Sequence, residues 1–333
     1  MNAAKKTVTV VCGCFNEVDN IDEWHKRVTA LFEGLPQYEL DMIIIDNASS
    51  DGTVARLREI AARDHRVKVI LNARNFGHIR SPYHALVQAR GDAVIVMASD
   101  LQDPPEAIPD FLKQWEAGHS SVVGVKEKTA DSAIFFFVRR IYYKLVERFA
   151  EIQTIQNFTG FGLYDQRVIE ICRQINDPYP YFRGLVAEIG LPTAKVPFKQ
   201  AVRHRGLTKN NLYSLYDLGM LGLTNHSKVP LRLAAMLGFA MSAFSFIVGV
   251  IYLVYKLLFW QQFAVGIAPV VIGLFLFSSV QLFFIGVVGE YIGSMHTQIM
   301  NRPHVIERER INFPPTVNPS PIIAPVAVER AAH

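Results

Sequence analysis

The sequence predicts an α/β domain on a parallel sheet, followed by two helices long and apolar enough to cross a membrane. Three observations carry this. From Thr7 to Gly124, β-branched apolar runs alternate with segments of helical spacing, the pattern of βαβ units whose sheet is covered on both faces. Leu233–Tyr255 and Phe263–Gly289 are then 23 and 27 residues without a charge, where about 20 apolar residues span a bilayer as a helix. Half of the 333 residues are hydrophobic and 19% are charged. That is too apolar for a soluble domain alone and too charged for a polytopic transporter; the length suits one large domain plus something smaller.

The elements follow in order. Thr7–Cys12 is a strand, and Asp19–Leu35 a helix spaced by Ile21, Trp24, Val28 and Leu31. Asp41–Asp46 is an apolar strand ending in an acid, and Ser49–Ala62 reads as a helix opened by Ser and Asp caps. Val67–Leu71, Ala93–Met97 and Ser121–Val125 are further strands, with helices over Pro82–Arg90 and Pro105–Ala117. Ala133–Ile152 is apolar with a basic face, which suits a helix lying in a membrane interface and equally a core helix of the soluble domain. Asn211–His226 has the same character. Lys228 and Arg232 precede the first apolar stretch, Arg302, Arg308 and Arg310 follow the second, and only Lys256 lies between them. The positive-inside rule then puts both outer flanks in the cytoplasm. Gln281 and Glu290 are polar groups in or beside the second stretch, where such groups face protein or mark a path. The expected organisation is a cytosolic domain over residues 1–210, a juxtamembrane helix over 211–230, a transmembrane hairpin over 231–295 and a tail over 296–333. The tail from Pro314 is rich in Pro, Ala and Val and is expected to be disordered.

Composition excludes several classes. The formal net charge is +4, with no arginine-rich run and no aromatic-and-basic stripe, so nucleic acid is not an expected partner; a surface resting on anionic lipid is. Cys12, Cys14 and Cys172 are odd in number and read as reduced cytosolic thiols, Cys12 and Cys14 sharing one strand face as small core residues. The N-terminus has no h-region, so no cleaved signal peptide is expected. Ten histidines form no H-E-x-x-H pair, which weighs against zinc. No G-x-G-x-x-G or Walker loop is present. The sequons at Asn47, Asn157 and Asn225 would stay unmodified on a cytosolic domain.

Open α/β sheets bind ligands beyond the carboxyl ends of their strands. Those ends hold Phe15-Asn16-Glu17, Asp46-Asn47, Asn75-Phe76-Gly77 and Asp100-Leu101-Gln102-Asp103. Oxygen ligands at Asp100–Glu106 suit a hard divalent cation, Mg2+ or Mn2+, bridging a diphosphate; the same residues also read as a capped helix start with solvated acids. Asp46–Thr53 could hold a nucleoside by hydrogen bonds or be an ordinary strand-to-helix turn.

Taken together, Phe15-Asn16-Glu17, Asp46…Asp51-Gly52-Thr53, Arg74-Asn75-Phe76-Gly77, Asp100–Glu106, Tyr181–Leu185, Gly206–Lys209 and Ser227–Leu231 occur in one order that resembles the polyprenyl-phosphate glycosyltransferases of family 2. Relatives in that family include dolichol-phosphate mannose synthases and bactoprenol glucosyltransferases, and the match covers roughly residues 7–310. The resemblance implies a GT-A (Rossmann-like) fold and a nucleotide-sugar donor. It also implies Mg2+ or Mn2+, and an inverting transfer to a polyprenyl phosphate, undecaprenyl or dolichyl, for cell-envelope glycans. It implies a homo-oligomer in the plasma (bacterial inner) membrane, with the catalytic domain and both termini cytoplasmic. Residue by residue, it puts Glu17 and Asp46 on the nucleoside, with Phe15, Asn16, Asn75, Gly77 and Ser99 completing the donor site. Asp100 and Gln102 would hold the metal, and Asp103 would lie near the transferring sugar or the acceptor. Asp100, Asp103 and Arg183 form the implied catalytic set, and Arg183, Arg203, Arg205 and Lys209 would surround the acceptor phosphate.

Three positions depart from the family pattern. Ala98 replaces the opening acid of the DxD triplet, Asn47 stands where many relatives have a second Asp, and Gly160 stands where relatives often carry an acid proposed as a base. Chemistry softens the last departure. A phosphate acceptor has a second pKa of about 6, so near neutral pH it is largely a dianion and needs positioning rather than deprotonation. Three other readings compete: a processive polysaccharide synthase, from Gln200–His204 without the motif's Trp; a transporter, which would need oligomerisation; and a non-catalytic membrane partner with a decayed site, motivated by Ala98 and Gly160.

Overall fold

A computed structural model describes residues 5–127, 155, 157–200, 229–259, 267–300 and 302–314. Both candidate interfacial helices, Arg203, Arg205 and Lys209, and the tail beyond Pro314 lie outside the described residues.

The strands are β1 (Lys6–Cys14), β2 (Tyr38–Asp46), β3 (Val67–Asn72), β4 (Ala93–Ala98), β5 (Ser121–Lys126), β6 (Phe158–Asp165), β7 (Thr193–Phe198) and β8 (Glu307–Ile311). The helices are α1 (Ile21–Glu33), α2 (Thr53–Arg63), α3 (Gly77–Gln88), α4 (Ile108–Glu116), α5 (Gln166–Ile175), α6 (Phe182–Ile189), α7 (Val229–Leu258) and α8 (Ile267–Met300). One eight-stranded sheet runs in the order β7-β5-β6-β4-β1-β2-β3-β8. Its centre, β3-β2-β1-β4, is parallel. Strands buried on both faces read as continuous apolar runs, which is why β1, β2 and β4 are legible as such. Along β1, Val10 and Cys12 pack into one core with Trp24, Val28, Leu57 and Phe111, while Val11 packs on the other face with Tyr83, Leu86, Ile169 and Leu185, as a period of two requires. Cys12 and Cys14 share the first of these cores, as expected.

The sheet is not wholly parallel. The antiparallel strand β6 inserts between β4 and β5, and β8 adds antiparallel to β3. A glycine makes room for the insertion: a Cβ on Gly162 would lie 2.4 Å from the Val122 carbonyl oxygen. Two helix starts also differ from expectation. α2 begins at Thr53 rather than Ser49, because Asp46 accepts the Ser49 N–H and Asp51 accepts the Thr53 N–H in a turn that passes through Gly52 at φ +98°. α3 begins at Gly77, five residues before Pro82, which then lies inside the helix. An interior proline weakens a helix, but this one sits on β1: a Cβ at Gly13 would be 2.8 Å from Pro82 Cγ.

The chain divides into two compact units, one of residues 1–133, 154–210 and 300–333, the other of residues 134–153 and 211–299. In the second, Phe277–Met300 is 24 residues long and apolar enough to cross a membrane by length and composition, and Ala234–Val248 is a shorter apolar segment. The second apolar helix is shifted toward the C-terminus, so Glu290 lies within α8, and Lys256 belongs to α7.

Residues 302–313, the part of the tail that precedes the segment expected to be disordered, belong to the first unit and are tied to it. Ala73 N–H donates to the Ile306 carbonyl, and Asn312 Nδ2 donates to Ala61 O and Val67 O at 2.7 and 2.9 Å. Arg58 grips Glu309 with both nitrogens at 2.6 and 2.5 Å, and Glu307 meets His84 and Arg310.

Gly162→Ala is expected to lower the unfolding free energy by about 1–3 kcal/mol through overpacking; denaturant melts would read it, and an unchanged midpoint would mean that β5 yields. The tail predicts a pH dependence. Burial alone would raise the Glu307 carboxyl, but hydrogen bonds from Arg310 and His84 outweigh it and hold the pKa at about 2, against an ordinary 4.5. A depressed carboxylate stabilises above its unfolded pKa and loses that contribution as pH falls through its folded one. The protection factors of amides in residues 304–312, exchange rates corrected for the intrinsic pH dependence, should therefore fall between about pH 4.5 and pH 2, and Glu307→Gln should remove that part of the pH dependence.

Candidate active site

The order 3-2-1-4 puts β1 between β2 and β4, and their connections leave toward opposite sides, which opens a crevice at the carboxyl ends. The residues there are held by one another. Asn16, at φ +56°, takes the Ser49 hydroxyl on its N–H at 2.8 Å and accepts the Ser50 N–H at 2.9 Å. Glu17 N–H donates to Thr53 Oγ1, and Val18 N–H to Asp51. Glu17 itself is buried and accepts from Asn20 Nδ2 at 2.6 Å. Asp46 is fully buried, with the Ser49 N–H at 2.9 Å and the Cys14 thiol at 3.8 Å. Phe15 sits half-buried beside this knot.

A second knot fixes the loop after β3. The Asn47 side chain uses all four of its hydrogen-bonding positions. Nδ2 donates to Asn75 Oδ1 at 2.9 Å and to Gly77 O at 3.1 Å; Oδ1 accepts from Phe76 N–H at 2.8 Å and Asn72 Nδ2 at 3.1 Å. Asn72 also donates to Ser81 at 2.9 Å, and Asn75 Oδ1 accepts the Gly77 N–H at 2.8 Å. Asn47, which the sequence marks as a strand-end residue and a departure from the family, is therefore the hub that shapes Asn75-Phe76-Gly77. Asn72 and Ser81 were missed, since their spacing carries no local signal.

The loop after β4 completes the crevice. Ser99 Oγ donates to Gly13 O at 3.1 Å, tying β4 to β1. Leu101 turns at φ +59°, and Asp100 Oδ1 accepts the Gln102 N–H at 3.1 Å. Asp100 Oδ2 accepts no hydrogen bond among the described residues. Asp103 folds back, accepting the Ala98 N–H at 3.0 Å with 8% of its surface exposed. Burial pushes its carboxyl up, the Ala98 hydrogen bond opposes this and nearby Asp100 adds to it, leaving the pKa at about 6. Beneath these acids, burial pushes the Cys12 thiol well above the usual thiol range, helped by the charges of Asp100 and Glu17; Cys12 and Cys14 are neutral core groups. Gln102 reaches across to Gln200 Nε2 at 3.3 Å, a partner 98 positions away that local pattern does not disclose. Among the described residues no group of three or more His, Cys, Asp or Glu is arranged to hold a metal ion.

Arg183, at the start of α6, donates to Phe158 O at 3.4 Å and lies 5.5 Å from the Tyr181 ring centroid. β6 runs against β4, so its first residues stand at the same sheet end as Asp100. Val96 faces Gly162 in that ladder, and two residues further along each strand are Ala98 and Gly160. The two departures from the family's acids thus lie toward the same end of the sheet, beyond the last paired residues of β4 and β6.

A family model described as Glycosyl transferase family 2 matches residues 9–172. The SfII prophage-derived bactoprenol glucosyl transferase of Shigella flexneri is 30% identical over 300 residues, covering 90% of this chain and 96% of that protein. The uncharacterized glycosyltransferase YkcC of Bacillus subtilis is 31% identical over 299 residues, covering 89% and 91%. Among solved structures, the mannosyltransferase PcManGT from Pyrobaculum calidifontis in complex with GDP-Man and Mn2+ aligns with a TM-score of 0.47 and 15% identity, covering 90% of this chain and 89% of that one.

Asn47→Asp tests the hub. A carboxylate cannot donate to Asn75 Oδ1 or Gly77 O, and it places a charge against those two acceptors. A loss of about 2–4 kcal/mol in unfolding free energy is expected, with exchange protection lost first at residues 75–78; a variant as stable as the parent would show that the loop stands without Asn47.

Proposed function

The chain belongs to the family 2 polyprenyl-phosphate glycosyltransferases, and on that premise we propose that it moves a sugar from a nucleoside-diphosphate sugar to a polyprenyl phosphate with inversion, at the cytoplasmic face of a membrane. The observation that carries this is the loop after β4: Asp100 presents a carboxylate oxygen that accepts no hydrogen bond among the described residues, at the switch point between β1 and β4, beside neighbouring loops locked by their own side chains.

In this reading the nucleoside lies over Phe15-Asn16-Glu17 and Asp46, and the diphosphate and sugar reach past Ser99 toward Asp100, with Asn75 and Gly77 on the far wall. Asp100 and Gln102 would supply oxygen ligands for Mg2+ or Mn2+. Mg2+ is commonly held by one or two carboxylates with substrate phosphates completing its shell, so a single acid at Asp100 fits a cation that arrives with the donor. Such an ion would offset the charge that develops on the departing diphosphate. The acceptor phosphate oxygen attacks the anomeric carbon from the side opposite the diphosphate; a carbon–oxygen bond to the acceptor forms as the bond to the diphosphate breaks, and the configuration inverts. The acceptor is already a dianion near neutral pH, so the work left to the protein is to hold two anions together. Arg183, with Arg203, Arg205 and Lys209, is assigned that task. Asp103, buried behind the loop, shapes it through Ala98 and adds charge near the reacting centre.

Membrane crossing by two helices is also part of the proposal. One span meets the length and composition test. The docked strand β8 supports a second: residues before 200 and after 302 belong to one domain, and a chain that leaves a domain and returns to it on the same side crosses a bilayer an even number of times.

The test is release of free nucleotide by purified protein in detergent, from a panel of nucleotide-sugars, with undecaprenyl phosphate and Mg2+ or Mn2+. Turnover should need both lipid and metal, and Asp100→Ala should lower it by about 10²–10³-fold. A folded protein that turns over no donor would sink the proposed reaction.

A further inference from the structure

The loop Asn75-Phe76-Gly77 is held from one side by Asn47, and a segment far along the chain supports it from another. Pro303–Glu307, which begins shortly after α8 ends at Met300, lies against the first two turns of α3. Arg80 Nη2 donates to Pro303 O at 2.6 Å, and Arg80 Cζ is 5.7 Å from the Phe76 ring centroid, so one side chain reaches both. One turn later, His84 Nε2 meets Glu307 Oε1 at 2.5 Å. At the end of β3, the Ala73 N–H donates to Ile306 O at 2.9 Å. The segment has footings of its own, with His304 Nε2 2.7 Å from Asp177 O and Glu309 gripped by Arg58.

The start of α3 has a reason to need this brace. Pro82 lies inside the helix and has no N–H, so one hydrogen bond between the first turn and the rest of α3 is missing. The turn that carries Gly77 is therefore joined to its own helix more loosely than an ordinary turn, and outside supports decide where it stands. The support is also confined to one side of the sheet. Residues two apart on a strand share a face, but the register of β8 on β3 shifts between Leu71 and Asn72, and such an irregularity re-aims a side chain. Glu307 reaches α3, packed in the core of Tyr83 and Leu86, while Glu309 reaches α2, packed in the opposite core of Leu57 and Ile60.

We propose that Arg80 and His84 are positioning residues for the donor site: braced by Pro303–Glu307, they hold the first turn of α3 and with it the wall formed by Asn75 and Gly77. This role rests on the reading of the crevice as a nucleotide-sugar site. Full-length protein in detergent is titrated by calorimetry with UDP and with GDP in the presence of Mn2+. Amide exchange is followed in parallel at Phe76 and Gly77, whose N–H groups bond to Asn47 and Asn75 and not to the brace. His84→Ala and Arg80→Ala should each weaken the nucleotide by about three- to tenfold, as the loss of one hydrogen bond would, and lower protection at residues 76 and 77. His84→Gln, whose amide nitrogen stands near the place of Nε2 and can still donate to Glu307, should restore both. Arg58→Gln frees Glu309 of the same strand on the opposite face of the sheet and should leave both unchanged. Equal weakening in Arg58→Gln would mean that the tail acts only through general stability, and would overturn the proposal. So would unaltered affinity in both alanine variants, whatever the exchange shows, given a parent that binds one of the nucleotides. A parent that binds neither overturns the donor-site reading, and this role with it.

Discussion

Everything at the crevice follows from one constraint: strand Lys6–Cys14 is paired on both edges and buried on both faces. Where such a strand ends, backbone groups still need partners, and water is not freely available to them. The loops therefore satisfy one another with short polar side chains. Asn16, Ser49, Asp51 and Thr53 lace the loop after β1 to the loop after β2, and Asn47 laces the latter to the loop after β3. The rigidity that a donor site needs is a by-product of closing these hydrogen bonds. Asp46, wholly buried, contributes by organising its turn, and Asp100 differs in kind because one of its oxygens accepts no hydrogen bond among the described residues.

The parallel centre of the fold was legible because apolar runs of period two and helices of period 3.6 are local signals. β1 to β5, α1 to α4 and the position of each loop at a strand end could be read directly. The failures share a cause. β6 and β8 are specified by what they pair with, not by their own composition: Glu307–Ile311 is ERERI, a charged segment that reads as solvated tail until the Val69–Leu71 edge is known to lie beside it. Pro82 reads as a helix start until Gly13 is seen to give it a seat. Of the candidate site, the residue types were legible from the motifs, but their burial was not. Nothing in the sequence distinguishes the buried Asp103 from Asp100, three positions earlier.

Ala98 and Gly160 are instructive for the same reason. Read separately, each is a lost acid in a family motif. In the fold both lie toward the sheet end where Asp100 stands, beyond the last paired residues of β4 and β6. Two carboxylates held side by side repel, and each raises the other's pKa; at Asp103, where burial is the main cause of the raised pKa, nearby Asp100 adds to it. With neither acid present, this end of the sheet carries less negative charge.

The docked strand β8 has a consequence for how the molecule is made. β3 emerges early in synthesis, yet its last neighbour arrives much later: Asn312 closes on Val67 from 245 positions away. Until then the edge of the sheet is bare, a template for unwanted pairing, and the contact that caps it is among the least local in the chain, the kind that forms slowly. The sheet can therefore be finished only after α7 and α8 have been synthesised. Completion of the domain thus reports that its apolar helices are already in place, and a chain stalled or cut before Glu307 is marked by an open edge.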